Sequence, residues 1–588
     1  MVTFFFEICY INIMNKEKRF CIYNYVEFIS CILFTLICIN FKFDISLLAF
    51  PVAALITAAS IYFGFFKMIK TKDARKSIVY YKLVQYLPFV MLFSFIVRRA
   101  GKEGTSFAYD IISVILWCLI FISSILVSYF LNPKRLKNQL TSYKTQQEKK
   151  KKFSLGKKIG FEIIDWVDAL IQAVFMVLLI QIFVIQLYQI PSESMVPQFL
   201  IGDRVAVTKV NCGPKFPLTD VGLPTFTKYN RGDVVVLRNP HYRIDRKSEV
   251  KSVVSQLVYM LSLTTVNLNT DEYGNQKYDP LVKRICGEPG EQLVMQDGVL
   301  YARTKNNPDF TPVDLDNKYA TWNLNALPAS QKNMVRDLRM SSADYQQMLE
   351  YEEQRRNFDL NAAAFRANQI IKNVKNLATQ DLSADFSAPN LDNNNIFISA
   401  PAIAGEMAYS KKGLEWFEKF MTSWIKNKDS YRDIYEEANF KMNVMMKMKF
   451  GELILRYSEL FASGKTYSEL SNDENVRQIL KEANIMVWYV SFLLDERNMP
   501  VFPANASDGN PQYIPENCYF MMGDNRFNSL DLRHSNDSFV KALSVDDNMS
   551  LTYTSMMEPQ YINKKLIVGK PVLTIWPLSR AGKISSKN

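Results

Sequence analysis

The sequence predicts a multi-span α-helical membrane region at the N-terminus, followed by a mostly-β core that carries a large α-helical insertion. Three observations predict it. Five apolar segments of about 20 residues, the length that crosses a bilayer, fall before Pro191. Short β-branched runs broken by Gly and Pro follow them. Between about Thr311 and Pro511 the pattern turns helical, and strand-like runs then resume.

The spans run from about Ile22 to Phe41, Leu47 to Phe66, Ile78 to Val97, Phe107 to Leu131 and Ala169 to Ile190. None reads as a cleavable signal peptide, because further spans follow where a mature soluble domain would begin. Basic residues orient them, since cytoplasmic loops are enriched in Lys and Arg. The segment Asn132 to Gly160 holds ten Lys and Arg against one acid, Glu148, and the loop Lys67 to Ser77 holds five. Both are expected on the cytoplasmic side together with the N-terminus, which places everything after Ile190 outside. Arg98, Arg99 and Lys102 fall on the outer side, against the rule. The whole net charge of +12 belongs to residues 1–190, and the rest of the chain is balanced. A nucleic-acid partner, which needs a basic face on the soluble part, is thereby excluded, and the lipid bilayer is the expected partner of the basic loops.

The strand-like runs are Arg204 to Val210, Asp233 to Leu237, Leu281 to Cys286, Gln292 to Tyr301, Tyr519 to Met522 and Lys565 to Ile575. In the helical stretch, capping boxes stand at Ser341 to Asp344, Thr466 to Glu469 and Ser471 to Glu474. Trp416, Phe417, Phe420, Met421, Trp424 and Ile425 recur at helical spacing, the mark of a packed face. The expected division is a membrane region over 1–160, a last span over 161–190, a first part of the β core over 191–310, the insertion over 311–510, and a second part of the core over 511–588. The insertion is expected to have its own core and to be separable from the chemistry.

Composition narrows that chemistry. There are two histidines, His241 and His534, which disfavours His-based zinc sites and a serine–histidine triad. Cys212, Cys286 and Cys518 are the soluble part's cysteines, with no Cys-x-x-Cys, so they are expected as buried free thiols.

Four segments carry the functional signal. The first is Pro191-Ser192-Glu193-Ser194-Met195-Val196-Pro197, followed by Leu200-Ile201-Gly202-Asp203. The second is Arg231-Gly232-Asp233-Val234-Val235-Val236, and the third runs from Val282-Lys283-Arg284 to Gly287-Glu288-Pro289-Gly290. The fourth is Met522-Gly523-Asp524-Asn525-Arg526-Phe527-Asn528-Ser529-Leu530-Asp531-Leu532-Arg533. In this order, after a membrane span, they resemble the boxes of bacterial type I signal peptidases, membrane-bound serine proteases that remove signal peptides from exported proteins. The resemblance covers roughly residues 165–300 and 512–585. It implies Ser194 as nucleophile, Lys283 as general base, Ser192 as the hydroxyl of the oxyanion hole and Ser529 as the serine that orients the lysine. It matches Asp524, Arg284, Asp531 and Arg533 to charged residues that brace the site. Ile190, Val282 and Phe199 match positions that line pockets for small residues at −1 and −3.

The residues support this chemistry by themselves. A serine hydroxyl needs a base, and without a well-placed histidine that base is a neutral lysine. Free lysine titrates near 10.4, so a working value of about 7 to 8 needs a shift of about three units, which burial supplies. Lys283 sits between Leu281-Val282 and Ile285-Cys286, an apolar strand-like run. The alternative base is His534 with Asp531 in a triad; family relatives in eukaryotes and archaea use a histidine at the base position, where this chain has Lys283.

Four positions depart from the pattern: Glu193 replaces a glycine, Gln198 and Phe199 stand where threonine and leucine are usual, and Phe527 replaces an aspartate. The resemblance implies no cofactor or metal, preprotein signal peptides as substrates, contact with the export machinery, and a bacterial inner-membrane protein with its active site on the outer face. A catalytically silent binding or assembly factor and a self-cleaving repressor with a serine–lysine dyad are the rival readings, the latter opposed by the membrane spans.

Overall fold

The computed structural model of the chain describes residues 16–101, 106–132, 155–240, 245–261 and 279–584 apart from 380, with a few short pieces between. His241, Lys102 and the lysine run 149–152 lie outside the described residues. Two compact units emerge, one of residues 1–187, 208–227 and 242–278, the other of 188–207, 228–241 and 279–588.

Among its described residues the first unit holds five helices long and apolar enough to cross a membrane. They are α1 (Lys16–Ile37), α2 (Ala49–Ile61, continued by a π-helical stretch over Tyr62–Lys70), α3 (Ser77–Ala100), α4 (Phe107–Leu131) and α5 (Leu155–Phe183). Ser106 caps α4, its hydroxyl accepting the Tyr109 N–H. Pro88 lies inside α3, and the Trp117 indole N–H donates to its carbonyl at 2.8 Å, tying α4 to α3. The arginines that broke the charge rule have local partners. Arg99 is buried, pairs with Asp110 at 3.3 Å and donates to the Leu218 carbonyl, while the Arg98 guanidinium lies 5.6 Å from the Tyr109 ring. A cation neutralised inside the fold does not act as a free topology signal.

The last span ends earlier than expected. Helix α5 stops at Phe183, and Ile185–Gln189 form a strand, β1. An unbroken apolar run does not by itself separate helix from strand, and here pairing with residues 204–208 decides it.

The second unit is built on an eight-stranded sheet. Its strands are β1, β2 (Arg204–Thr208), β3 (Val234–Leu237), β4 (Leu281–Gly287), β9 (Cys518–Met522), β12 (Ile562–Asn563), β13 (Ile567–Trp576) and β14 (Gly582–Lys583). The order is β1-β2-β13-β3-β4-β9-β12, with β14 on β13. A second sheet, β7-β6-β5-β8, joins β5 (Glu291–Gln296), β6 (Val299–Thr304), β7 (Thr311–Pro312) and β8 (Met499–Phe502). The run expected as one strand over Gln292 to Tyr301 is thus a hairpin: Gln296 faces Val299, and Asp297-Gly298 turns the chain with φ of 51° and 79°.

Between β7 and β8 lie α7 (Asp314–Tyr319), α8 (Ser342–Arg356), α9 (Leu360–Leu377), α10 (Ile396–Met407), α11 (Lys411–Thr422), α12 (Ile434–Ala462) and α13 (Glu474–Phe492). α6 (Arg246–Leu261) belongs to the first unit. The capping boxes at Ser341 and Thr466 form, but α13 is capped by Asp473, which accepts the Val476 N–H, and not by Ser471. Phe417, Phe420, Met421 and Trp424 are buried in the helical core.

That core is not confined to 311–510. Phe527, Leu543, Leu551 and Tyr553 are part of it, the last three on or beside the hairpin β10 (His534–Ala542) and β11 (Thr552–Met557). Lys447 of α12 makes a fully buried ion pair with Asp547, which also accepts from Asn443 at 2.8 Å. Both ends of the segment enter a β-sheet, and its helices pack on chain that follows it by more than thirty residues.

Candidate active site

The serine loop hangs from β1. Ile190 donates to the Asp203 carbonyl (2.8 Å) and accepts from the Gly202 N–H (2.9 Å), so the two ends of residues 191–202 are clasped together. Asp203, buried, accepts the Leu200 N–H at 2.9 Å and the Arg580 guanidinium at 3.0 Å. Within the clasp the chain turns tightly, Val196 N–H to the Glu193 carbonyl and Phe199 N–H to the Met195 carbonyl, and Ser192 Oγ stands 3.4 Å from Ser194 Oγ. Both serines are partly exposed.

Lys283 lies in the middle of β4, opposite Val235 of β3. Side chains alternate along a strand, so Val282 joins Val234 and Val236 in one apolar cluster while Lys283 shares the other face with Val235. Lys283 is 2% exposed. Burial pushes its ammonium down from 10.5 to about 8; the Asp531 carboxylate opposes this, Arg533 reinforces it and Asp524 opposes it weakly.

The next residue links the boxes. Arg284 faces Met522 across β4 and β9, and its guanidinium grips Asp524 through two hydrogen bonds of 2.7 and 2.6 Å, donates to the Gly232 carbonyl at 2.7 Å and stacks 3.7 Å from the Tyr319 ring. Gly523, between Met522 and Asp524, is a close-approach point. A Cβ there would stand 2.2 Å from Ser529 Oγ and 2.4 Å from the Ser194 carbonyl, so only glycine lets those two serines crowd together. Ser529 is buried, and its Oγ has no hydrogen-bond partner among the described residues. Asp531 accepts the Gly523 N–H (2.9 Å) and Arg533 Nε (2.9 Å). Burial raises the Asp531 carboxyl, but Arg533 outweighs it and holds the group below the usual carboxylate range. His534, buried, turns toward Glu496 (3.9 Å) and the Asp495 carbonyl (3.4 Å).

Ile190 and Phe199 are buried with Met195, Val205 and Val207 in the cluster that Val282 packs against. The three residues matched to the substrate pockets therefore share one apolar cluster, in which Phe199 is fully enclosed. Among the described residues no group of His, Cys, Asp and Glu has the geometry of a metal site. Cys212, Cys286 and Cys518 are free and buried, and burial raises the Cys286 thiol.

Comparison with known proteins places the chain. A family model described as "Signal peptidase, peptidase S26" matches residues 163–357. Signal peptidase I of Buchnera aphidicola subsp. Schizaphis graminum is 35% identical over 133 residues, 22% of this chain and 39% of that protein. Over residues 163–357 the chain is similar to the type I signal peptidases. Signal peptidase I of Buchnera aphidicola subsp. Baizongia pistaciae is 28% identical over 162 residues (27% of this chain, 46% of the relative), and that of Haemophilus influenzae 26% over 186 residues (31% and 51%). The chain thus spans about half or less of the length of these signal peptidases.

The sequence does not show the partners of several residues in the four segments. Asp316 forms a buried ion pair with Arg526 (2.6 Å), although Asp316 lies in the segment expected to stand apart. Thr321 donates to the Asp524 carbonyl and accepts the Arg526 N–H. Glu193 is buried, and Phe527 meets Trp322 edge-on at 5.0 Å. Arg526 and Gly523 were visible in the fourth box; their partners are too distant in sequence to be read from it.

Proposed function

We propose that this protein is a membrane-bound serine endopeptidase that cuts signal peptides from exported preproteins. The observation that carries the reading is Lys283: an amine 2% exposed, titrating at about 8, on the strand whose next residue grips the loop of Ser529. At pH 7 about a tenth of such amines are neutral, against roughly three in ten thousand for an ordinary lysine. Burial thus supplies the base that a serine nucleophile needs.

In this reading Ser194 Oγ attacks the scissile carbonyl and Lys283 takes its proton. The Ser192 hydroxyl, 3.4 Å from Ser194 Oγ, donates to the developing oxyanion. Ser529, whose buried hydroxyl is otherwise unpartnered among the described residues, orients the lysine amine, and the Arg284–Asp524 and Arg533–Asp531 pairs brace the loop that carries it. The tetrahedral intermediate collapses as the Lys283 ammonium returns the Ser194 proton to the departing amine of the mature chain, and the acyl-enzyme is then hydrolysed by water activated by the neutral amine so restored. Ile190, Val282 and Phe199 shape the −1 and −3 subsites for small side chains. The substrates are preproteins at the inner membrane, with the catalytic unit on the outer face and the export machinery as the source of substrate.

The test is cleavage of a model preprotein by the full chain in detergent, with the new N-terminus sequenced. Cleavage after an alanine at −1, abolished by a bulky −1 side chain, is expected; an intact preprotein would favour a non-catalytic binding role.

A further inference from the structure

We infer that residues 321–340 form a strap built into the wall of the active site, and that Glu193 is the positioning residue that fastens this strap to the serine loop. The inference rests on the serine–lysine reading above and extends it into the segment between the boxes.

Glu193 lies between the two serines, and it is held from both sides. Its carboxylate, 5% exposed, accepts the backbone N–H of Arg336 (2.5 Å) and of Asp337 (3.2 Å). Its carbonyl accepts the side-chain N–H of Asn525 at 3.1 Å, while the Asn525 backbone N–H donates to the Ser194 carbonyl at 3.2 Å. A buried carboxylate needs donors, and here two strap amides supply them. Next to this clamp Val196 and Leu200 of the serine loop bury themselves against Leu324 of the strap. At the strap's other end the Trp322 ring is caught between Phe527, at 5.0 Å, and the Arg497 guanidinium, at 4.4 Å.

Two of the positions at which this chain departs from the signal peptidase pattern therefore share one cause. A glycine at 193 has no carboxylate to hold the strap, and an aspartate at 527 would press a charge into the Trp322 contact. Glu193 and Phe527 are the two docking points of one segment. Because the clamp grips the peptide between Ser192 and Ser194, loosening it changes the placement of the nucleophile more than the binding of substrate. Small misplacements of a nucleophile are costly in rate.

The experiment compares the full chain in detergent with Glu193→Gly, Glu193→Gln and Phe527→Asp, by two readouts. Hydrogen exchange of the 335–338 amides reads the clamp directly and does not depend on catalysis. Slow exchange in the wild type, fast exchange in Glu193→Gly and an intermediate rate in Glu193→Gln, which keeps one acceptor oxygen, are expected. Fast exchange in the wild type overturns the clamp whatever the activity. Steady-state cleavage of a short signal-peptide mimic reads positioning: kcat is expected to fall about tenfold or more in Glu193→Gly with KM within about twofold, Glu193→Gln recovering part of the loss and Phe527→Asp falling in the same direction. Exchange that speeds up while kcat stays unchanged overturns the positioning role. Failure of the serine–lysine reading would show separately, as cleavage that survives in Ser194→Ala.

Discussion

Arg284 and Asp524 stand 240 residues apart in sequence and meet in a doubly hydrogen-bonded ion pair whose side chains are 1% and 2% exposed. The pair joins the strand that carries Lys283 to the loop that carries Ser529, across everything inserted between them. A third guanidinium N–H donates to the Gly232 carbonyl, and both charged side chains are shielded from solvent.

Breaking that pair from one side strands a buried charge. Asp524→Ala is expected to cost about 3–5 kcal/mol, a large fraction of a domain's stability. Thermal unfolding of the purified protein checks this. A melting temperature within a degree or two of the wild type's would mean that the pair is not the joint described.

Lys283 carries the opposite sign. Its neutral form is favoured in the fold, so the unfolded chain binds more protons between about pH 8 and the ordinary lysine value of 10.5. Stability gained from this group rises with pH through that window and is missing below it. Lys283→Met is therefore expected to be inactive yet more stable at pH 7, by up to about 3 kcal/mol, an advantage that disappears above about pH 10.5. Denaturant unfolding at pH 7 and 10 measures the difference. Equal stability of the two proteins at pH 7 would refute the depressed lysine. Wild-type kcat/KM should climb with pH to a midpoint near 8, and Asp531→Asn, which removes the carboxylate opposing the shift, should move that midpoint toward acid.

Local features were legible in the sequence and long-range ones were not. The membrane helices follow from runs of apolar residues, and the strands of the boxes from short β-branched runs. The end of α5 was misjudged because Val184 and Ile185 continue an apolar run whose partner strand lies twenty residues on. The Asp297-Gly298 turn has its signal in the Asp-Gly pair, but the pair sits inside a longer strand-like run. Glu193 stood out as a departure without a reason, since the amides it binds are 143 and 144 residues away. Arg99 opposes the charge rule in the sequence because its partner Asp110 lies on the next helix.

The same long-range contacts revise what removal of residues 311–511 should do. The deletion takes away β7 and β8, Asp316 from Arg526, and the helices that cover Leu543, Leu551 and Tyr553. Replacement by a Gly/Ser linker is expected to give a protein that aggregates or unfolds without cooperativity, not an active core. Size-exclusion chromatography and a thermal melt decide it; a monodisperse, active product would restore the separable division.

Topology can be read independently. With five spans, reporters placed at Lys150 and Lys587 should label opposite sides of the membrane, the lysine-rich segment with the cytoplasm. Labelling of both from one side would mean that α5 does not cross the membrane.

Whether Ser194 and Lys283 act as one unit is decided by preprotein cleavage in detergent by the wild type, Ser194→Ala, Lys283→Ala and His534→Ala. Loss of either partner removes the covalent step, so the first two variants are expected to retain less than about a thousandth of the wild-type rate and His534→Ala most of it. Near-normal cleavage by Lys283→Ala, or its loss in His534→Ala, would contradict the account and make the histidine the base.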